Sequence, residues 1–301
     1  MIPAFPEFTP ITLDHKHELD AYFKRNPPVT SELNFTNLFM WQEVHDYQIA
    51  RFGSGFFISA VYDGALCLLQ PLVEDDMDTA VQEAFKYLQE NIEKPTLRRV
   101  GEDFMKAGFL DAADVSIDED RNNFDYVYSA QELIELPTQK YHDKKNLIRQ
   151  FTKKSPYVYT RCSSIMIEKA KQFIDQWCTV KQCDIHEGLG KENRAVKKLL
   201  DNLDVLDVVG AAIEVDGRIV ALSFGEKLNN DTFVVHIEKA RADMIGLYQT
   251  INWEFLRNEA QHVSFVNREQ DVGVEGLRKA KLSYNPIGFV KKYTVCEKDR
   301  C

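Results

Sequence analysis

Asn267-Arg268-Glu269-Gln270-Asp271-Val272-Gly273-Val274-Glu275-Gly276-Leu277-Arg278-Lys279-Ala280-Lys281-Leu282-Ser283-Tyr284 is the stretch to which the rest of the chain leads. It follows the apolar run Val263 to Val266, which predicts a buried strand. Charged residues of both signs then crowd around two glycines, and a short helix is predicted to begin near Val274. Such crowding at the end of a strand has two readings. One is an ion-pair network that pins a loop. The other is a site that positions a polar substrate and moves protons.

Working back from this stretch, Tyr248 to Glu259 reads as a helix and Thr232 to Glu238 as a strand. By alternation, Val234, His236 and Glu238 are expected on one face of that strand, and Val235, Ile237 and Lys239 on the other. Val208 to Val215, Asp216-Gly217 and Arg218 to Glu226 form a predicted hairpin. Before it come a strand, Tyr157 to Arg161, and two amphipathic helices, Ile165 to Val180 and Glu192 to Leu203. In the first half, Thr12 to Lys24 predicts a helix ended by Pro27-Pro28, and Ser31 is the expected N-cap of an apolar helix reaching Val44. Tyr47 to Phe52, Phe56 to Tyr62 and Ala65 to Leu72 then read as a three-strand meander. A helix from Met77 to Ile92, a strand from Leu97 to Val100 and a helix from Asp103 to Leu110 follow. Between the halves, Lys140 to Lys154 predicts a helix with Leu147, Ile148 and Phe151 on its apolar side and five lysines plus Arg149 on the other. That basic side is either a solvated connector face or a surface for a phosphate-bearing molecule.

With Glu238-Lys239-Ala240-Arg241, Gly246-Leu247-Tyr248-Gln249-Thr250-Ile251-Asn252 and Ser31-Glu32-Leu33-Asn34-Phe35-Thr36-Asn37-Leu38, the opening stretch resembles the family named after the C-terminal domain of phosphatidylglycerol lysyltransferase. The resemblance spans most of the chain. It implies an α/β fold of two tandem GNAT-like (acyl-coenzyme A N-acyltransferase) domains, each a mixed, mostly antiparallel sheet flanked by helices. The expected domains are 1–138 and 139–301. The first is read as a degenerate copy, because Val73-Glu74-Asp75-Asp76 puts three acids where a phosphate-binding loop belongs. The second is expected to hold the active site.

The resemblance further implies a transferase that moves an acyl or aminoacyl group onto an amine. Glu238 would act as the base that removes the ammonium proton, and Tyr284 as the phenol that protonates the leaving group. Glu269 and Asp271 would hold the substrate amine, while His236, Asn267, Arg268, Arg278 and Lys281 would bind substrate. Arg241, Gly246, Leu247, Tyr248 and Asn252, with Lys144 and Lys145, would hold the donor. Acyl-coenzyme A is the expected donor and aminoacyl-tRNA the alternative. The acceptor would be a small molecule. The alternative function is a non-catalytic module that binds a nucleotide-bearing or phosphorylated small molecule.

Composition bounds these readings. At 301 residues the chain suits two domains, and its 44% hydrophobic and 11% aromatic content is globular. No run approaches the roughly 20 apolar residues of a membrane span. Met1-Ile2-Pro3-Ala4-Phe5-Pro6 has neither the basic start nor the apolar core of a signal peptide, so a cytoplasmic protein is expected. A net charge of -10 disfavours non-specific binding to nucleic acid or anionic lipid. Cys67, Cys162, Cys178, Cys183, Cys296 and Cys301 show no regular spacing and predict reduced thiols. No metal is expected, because His15 and His17 face different sides of a helix and Cys183-Asp184-Ile185-His186 lacks a partner pair.

Overall fold

A computed structural model describes residues 1–110, 114–137 and 139–298. The chain divides into two compact units, Met1–Asp125 with Gln270–Gly273 and Phe289–Cys301, and Tyr126–Glu269 with Val274–Gly288. A single cut at 138/139 does not separate them, and Thr138 itself lies outside the described residues. The reason is an exchange of strands: Asp125–Ser129 belongs to the second sheet, and the late strand Lys292–Glu297 belongs to the first.

In the first unit seven strands run in the spatial order Thr9–Pro10, Gln48–Phe52, Gly55–Tyr62, Ala65–Leu69, Thr96–Gly101, Lys292–Glu297 and Val115–Glu119. Ala65–Leu69 and Thr96–Gly101 are parallel, joined by only Leu68↔Leu97 and Leu69↔Arg98. The connection between them is the helix Met77–Asn91, whose Ala80, Val81, Ala84, Phe85 and Leu88 are buried at helical spacing. They pack with Phe57, Leu68, Leu97, Val100 and Val295.

Two N-terminal expectations change. Thr12 to Lys24 is a 3-10 turn, Leu13–His15, followed by the helix Lys16–Arg25. The second helix starts later than expected, at Phe35–Met40, because Asn34 rather than Ser31 caps it, its Oδ1 accepting from the Asn37 amide at 2.8 Å. Ser31 instead donates to Asp125, from its Oγ to Oδ1 and from its amide to Oδ2, each at 2.9 Å. Lys292, fully buried, completes this cluster with Nζ 2.5 Å from Glu32 and 2.6 Å from Asp125. The Glu32 carboxyl, pushed up by burial, is held below its ordinary value by Lys292 and Arg99.

In the second unit the sheet order includes Asp125–Ser129, Phe265–Asn267, Thr232–Ala240, Arg218–Lys227, Val209–Val215 and Val158–Arg161. Leu247–Glu259 packs Leu247, Ile251 and Phe255 on it, together with Ile148 and Phe151 of the basic helix His142–Lys154. Helices Ile167–Lys181 and Glu187–Asp201 pack together, and Trp177 of the first of them donates its Nε1 to the Ala240 carbonyl at 3.1 Å.

The expected alternation of Thr232–Ala240 is broken. Phe224 pairs with Ile237 and Gly225 with Val235, so His236 has no opposite residue: a β-bulge. Phe233 and Val235 pack with Phe255, and Glu238 beyond the bulge also reaches that helix, at Asn252. Val234, His236 and Glu238 therefore do not share one face. Gly225 permits the bulge, because a Cβ there would lie 2.3 Å from the Val234 carbonyl oxygen.

The thiol expectation is corrected too. Cys178 and Cys183 form a disulfide, brought to a Cα separation of 5.2 Å where Gln182, at φ +54°, ends the helix and turns the chain back. Cys296 is also disulfide-bonded, Cys67 and Cys162 are free, and Cys301 lies outside the described residues. Among the described residues no helix is long and apolar enough to cross a membrane.

Candidate functional site

Thr232–Ala240 and Phe265–Asn267 run parallel for three pairs, ending at Val234↔Asn267. Past that point the longer strand continues while the other turns away. The Asn267 side chain starts the turn by accepting the Glu269 amide at 2.8 Å, and Glu269 itself takes a left-handed φ of +54°. A wedge opens where the ladder stops. Side chains fill it.

One cluster is a buried imidazole between two carboxylates. His236 Nδ1 lies 2.8 Å from Glu269 and Nε2 lies 2.9 Å from Glu226. Burial lowers the affinity of the ring for a proton, but the hydrogen bonds and charges of Glu226 and Glu269 outweigh it and raise the pKa to about 10. His236 is thus an imidazolium at neutral pH and donates from both nitrogens. It is unsuited to act as a neutral base.

The second cluster centres on Arg268. Its Nη2 donates to Glu238 Oε1 at 3.0 Å, while Asn252 Nδ2 donates to Glu238 Oε2 at 2.8 Å. The guanidinium lies over the Tyr284 ring at 4.6 Å and near that of Tyr128 at 5.7 Å. Its Nη1 is buried and has no hydrogen-bond partner among the described residues. A buried guanidinium N–H without an acceptor carries a desolvation cost that a ligand oxygen would remove. The Tyr284 phenol is held protonated, its pKa raised above the usual range first by burial, with Arg268 opposing.

The short helix Glu275–Leu282 closes this corner. Lys281 donates to the carbonyls of Arg268 and Glu269, and Tyr128 donates to the Lys281 carbonyl at 2.9 Å. Tyr141 donates to the Tyr284 carbonyl at 2.9 Å. Lys144 of the basic helix donates to Ser283 at 2.6 Å and lies 4.3 Å from the Tyr284 ring centre. Burial first, then the Arg268 charge, lowers its pKa. Lys145 is half-buried on the same helix, and Arg149, Lys153 and Lys154 are exposed.

Glu238, His236, Asn267, Arg268, Glu269, Lys281, Tyr284, Asn252 and Lys144 thus lie in one neighbourhood. Other expected residues lie elsewhere or are engaged otherwise. Asp271 is fully buried in the first unit and pairs with Arg121 at 3.3 Å. Arg241 forms a two-point pair with Asp243, at 3.1 and 2.6 Å, on the surface. Leu247 is a fully buried core residue, and Tyr248 accepts from Trp177 Nε1 at 3.3 Å. A Cβ on Gly246 would lie 2.1 Å from the Leu147 carbonyl oxygen, so its bare Cα packs against the basic helix. Arg278 is half-buried on Glu275–Leu282.

The sequence reading missed Glu226, Tyr128, and the trio Lys239, Glu192 and Trp177, in which Lys239 pairs with Glu192 and lies 4.0 Å from the indole centre. Glu226 was accessible in principle, since it lies opposite Val234 across the hairpin. Among the described residues no group of three or more His, Cys, Asp or Glu is arranged to hold a metal ion.

The chain is similar to known proteins over nearly its whole length. Residues 23–296 match the family described as phosphatidylglycerol lysyltransferase, C-terminal. A conserved protein of unknown function from Bacteroides thetaiotaomicron is 31% identical, with TM-score 0.90, covering 98% of this chain and 99% of that one. The structure of L-PGS from Bacillus licheniformis superposes with TM-score 0.69 at 13% identity, covering 100% of this chain and 95% of that one. The C-terminal domain of a lysylphosphatidylglycerol synthetase homologue from Agrobacterium fabrum gives TM-score 0.67 at 10% identity, over 95% and 92%. No curated protein matches. The two mixed sheets flanked by helices are the fold that this chain shares with these structures. The chain belongs to the phosphatidylglycerol lysyltransferase C-terminal family.

Proposed function

We propose that the wedge of the second unit is an acyltransferase site that moves an acyl or aminoacyl group from an activated donor to an amine. The observation that carries this reading is the buried, unpartnered Nη1 of Arg268 beside Glu238 and Tyr284. In the proposed reaction the acceptor enters as an ammonium and gives one proton to Glu238. The freed lone pair attacks the donor carbonyl carbon, and the carbonyl oxygen becomes an oxyanion held by the Arg268 Nη1–H. As the C–N bond is completed, the bond to the leaving sulfur or oxygen breaks. The second amine proton ends on that atom, with Tyr284 relaying it. Glu269 and His236 fix the turn that presents Arg268. The family description points to aminoacyl transfer, and the exposed cations of His142–Lys154 suit a donor that carries phosphates. Aminoacyl-tRNA and acyl-coenzyme A therefore both belong in the test. Arg241, Tyr248, Lys144 and Lys145 are the residues proposed to hold the donor, and the cytoplasm the place of action.

Single-turnover assays with labelled acetyl-coenzyme A and with charged tRNA, over a panel of amines, test the proposal. Arg268→Ala is expected to lower kcat/KM by about 10²–10³, the weight of one oxyanion donor. Glu238→Gln is expected to remove the base and to lower kcat/KM by about 10²–10⁴, the weight of one general base. Turnover unchanged in both variants would sink the assignment. One observation favours the second reading, a non-catalytic module for a phosphorylated or nucleotide-bearing small molecule: both Glu238 oxygens already accept a hydrogen bond. Ligand retention without turnover of any donor would select it.

A further inference from the structure

The first unit contains a cavity of about 370 Å³, a volume in the range of small-molecule sites. It lies at the end of the Ala65–Leu69/Thr96–Gly101 parallel pair, the topological counterpart of the wedge in the second unit. Gln70, Pro71 and Leu72 leave one strand there, and Asp103 and Phe104 follow the other. Tyr22, Phe23, Leu33, Leu72 and Phe104 are buried around it and give it an apolar body. Thr30, another lining residue, is 2% exposed, yet its Oγ1 has no hydrogen-bond partner among the described residues. The second unit's reaction does not use any of these groups.

The unbalanced charge of the lining is negative. Arg25, the cation of the lining, is neutralised by Glu74 at 2.8 Å, and Asn26 donates to the same Glu74 oxygen at 2.8 Å. Asp103 is exposed, and among the described residues no ion pair neutralises it. An anionic ligand would meet repulsion here; a cation would meet attraction. We propose that this cavity binds an apolar molecule with an ammonium head, the body lying against Tyr22, Phe23 and Phe104 and the head donating to Asp103 and the Thr30 hydroxyl. This site is independent of the acyl-transfer reading, and would stand if that reading failed.

Three probes that share a phenyl ring on a two-carbon chain test it on the full chain: 2-phenylethylammonium, 2-phenylethanol and 3-phenylpropionate, each titrated into ¹H–¹⁵N spectra. Saturable shifts confined to the lining residues are expected, tightest for the ammonium and weakest for the carboxylate. Asp103→Asn should weaken the ammonium about fivefold, the weight of an exposed charge pair, and leave the alcohol unchanged. Ala107→Trp, at the rim, should fill the cavity and abolish the shifts of all three. Asp103 is exposed, so its variant keeps the test valid even if the tryptophan variant fails to fold. The proposal is overturned by equal affinity for ammonium and carboxylate, by an Asp103→Asn protein that binds the ammonium normally, or by no saturable shift at tens of millimolar.

Discussion

Each unit ends a parallel strand pair with an arginine, and the two arginines differ in what surrounds them. In the first unit Arg99 follows the last pair, Leu69↔Arg98; in the second Arg268 follows Val234↔Asn267. Both lie over a tyrosine ring, Arg99 over Tyr62 at 4.7 Å and Arg268 over Tyr284 at 4.6 Å. Arg99 faces two carboxylates: its Nη1 lies 2.6 Å from Asp120 and its Nε 3.2 Å from Glu32, the latter off the hydrogen-bonding line. Each keeps one buried N–H without a hydrogen-bond acceptor among the described residues, but the Arg99 Nε faces the Glu32 carboxylate, whereas Arg268 pairs with one carboxylate, Glu238, through its Nη2 and its Nη1 has no ion-pair partner among them. The backbone of the first gap is also closed, since Gln70 Oε1 accepts the Gly101 amide at 2.8 Å. One topology thus yields two outcomes. Where carboxylates and a side-chain amide face the donors a splayed ladder exposes, none is left for an oxyanion; where one donor faces no acceptor, an oxyanion can bind.

The largest expected effect tests the claim that the first arginine is closed by structure. Lys292 holds Glu32 and Asp125 in a fully buried cluster, so Lys292→Met leaves two buried carboxylates short of a cation. A loss of about 3–5 kcal/mol is expected in urea unfolding, the usual cost of breaking a buried pair from one side. A loss below about 1 kcal/mol would mean the cluster is not what seals this gap, and the comparison would break.

The second unit's counterpart is His236, and pH separates it from the rest. Its folded pKa of about 10 lies above the unfolded value near 6.5. A raised pKa stabilises the folded state fully below the unfolded value, and this contribution fades as pH climbs toward 10. Wild-type stability should therefore fall by roughly 2–4 kcal/mol between pH 6.5 and 10, after allowance for coupling among the three groups. His236→Gln should flatten that limb, as followed by denaturant unfolding at stepped pH. An equally steep limb in the variant would assign the alkaline loss to other groups.

These contrasts were only partly legible in the sequence. Period-two runs specified the meander, the turn Asp216-Gly217 the later hairpin, and the apolar spacing of Met77–Asn91 its helix. Local patterns do not encode which sheet a strand joins, so the exchange of Asp125–Ser129 and Lys292–Glu297 was invisible. Alternation failed at His236, because a bulge is set by what its neighbours tolerate, here Gly225, rather than by the strand's own residues. Ser31 read as a cap, since a serine before an apolar run offers the same hydroxyl whether it caps a helix or meets Asp125. Glu238 and Arg268 were singled out by resemblance; their ion pair, and the nitrogen it leaves open, depend on distances that a sequence does not carry.

The smallest expected effect sharpens the comparison most, because it isolates one hydrogen bond. Gln70→Ala removes the acceptor of the Gly101 amide and leaves the Arg99 ion pairs in place. If that bond closes the first gap, stability should drop by about 1 kcal/mol, the net worth of a hydrogen bond whose donor is left half-shielded. Gln70→Glu keeps an acceptor oxygen at the same reach, so its loss should be about 0.5 kcal/mol or less. Amide exchange at Gly101 gives the direct readout: faster in the alanine variant, unchanged in the glutamate variant. Equal protection in all three proteins would show that the Gly101 amide is covered by its surroundings. The two gaps would then differ in their charged groups alone, since the backbone of the first would stay closed without the Gln70 side chain.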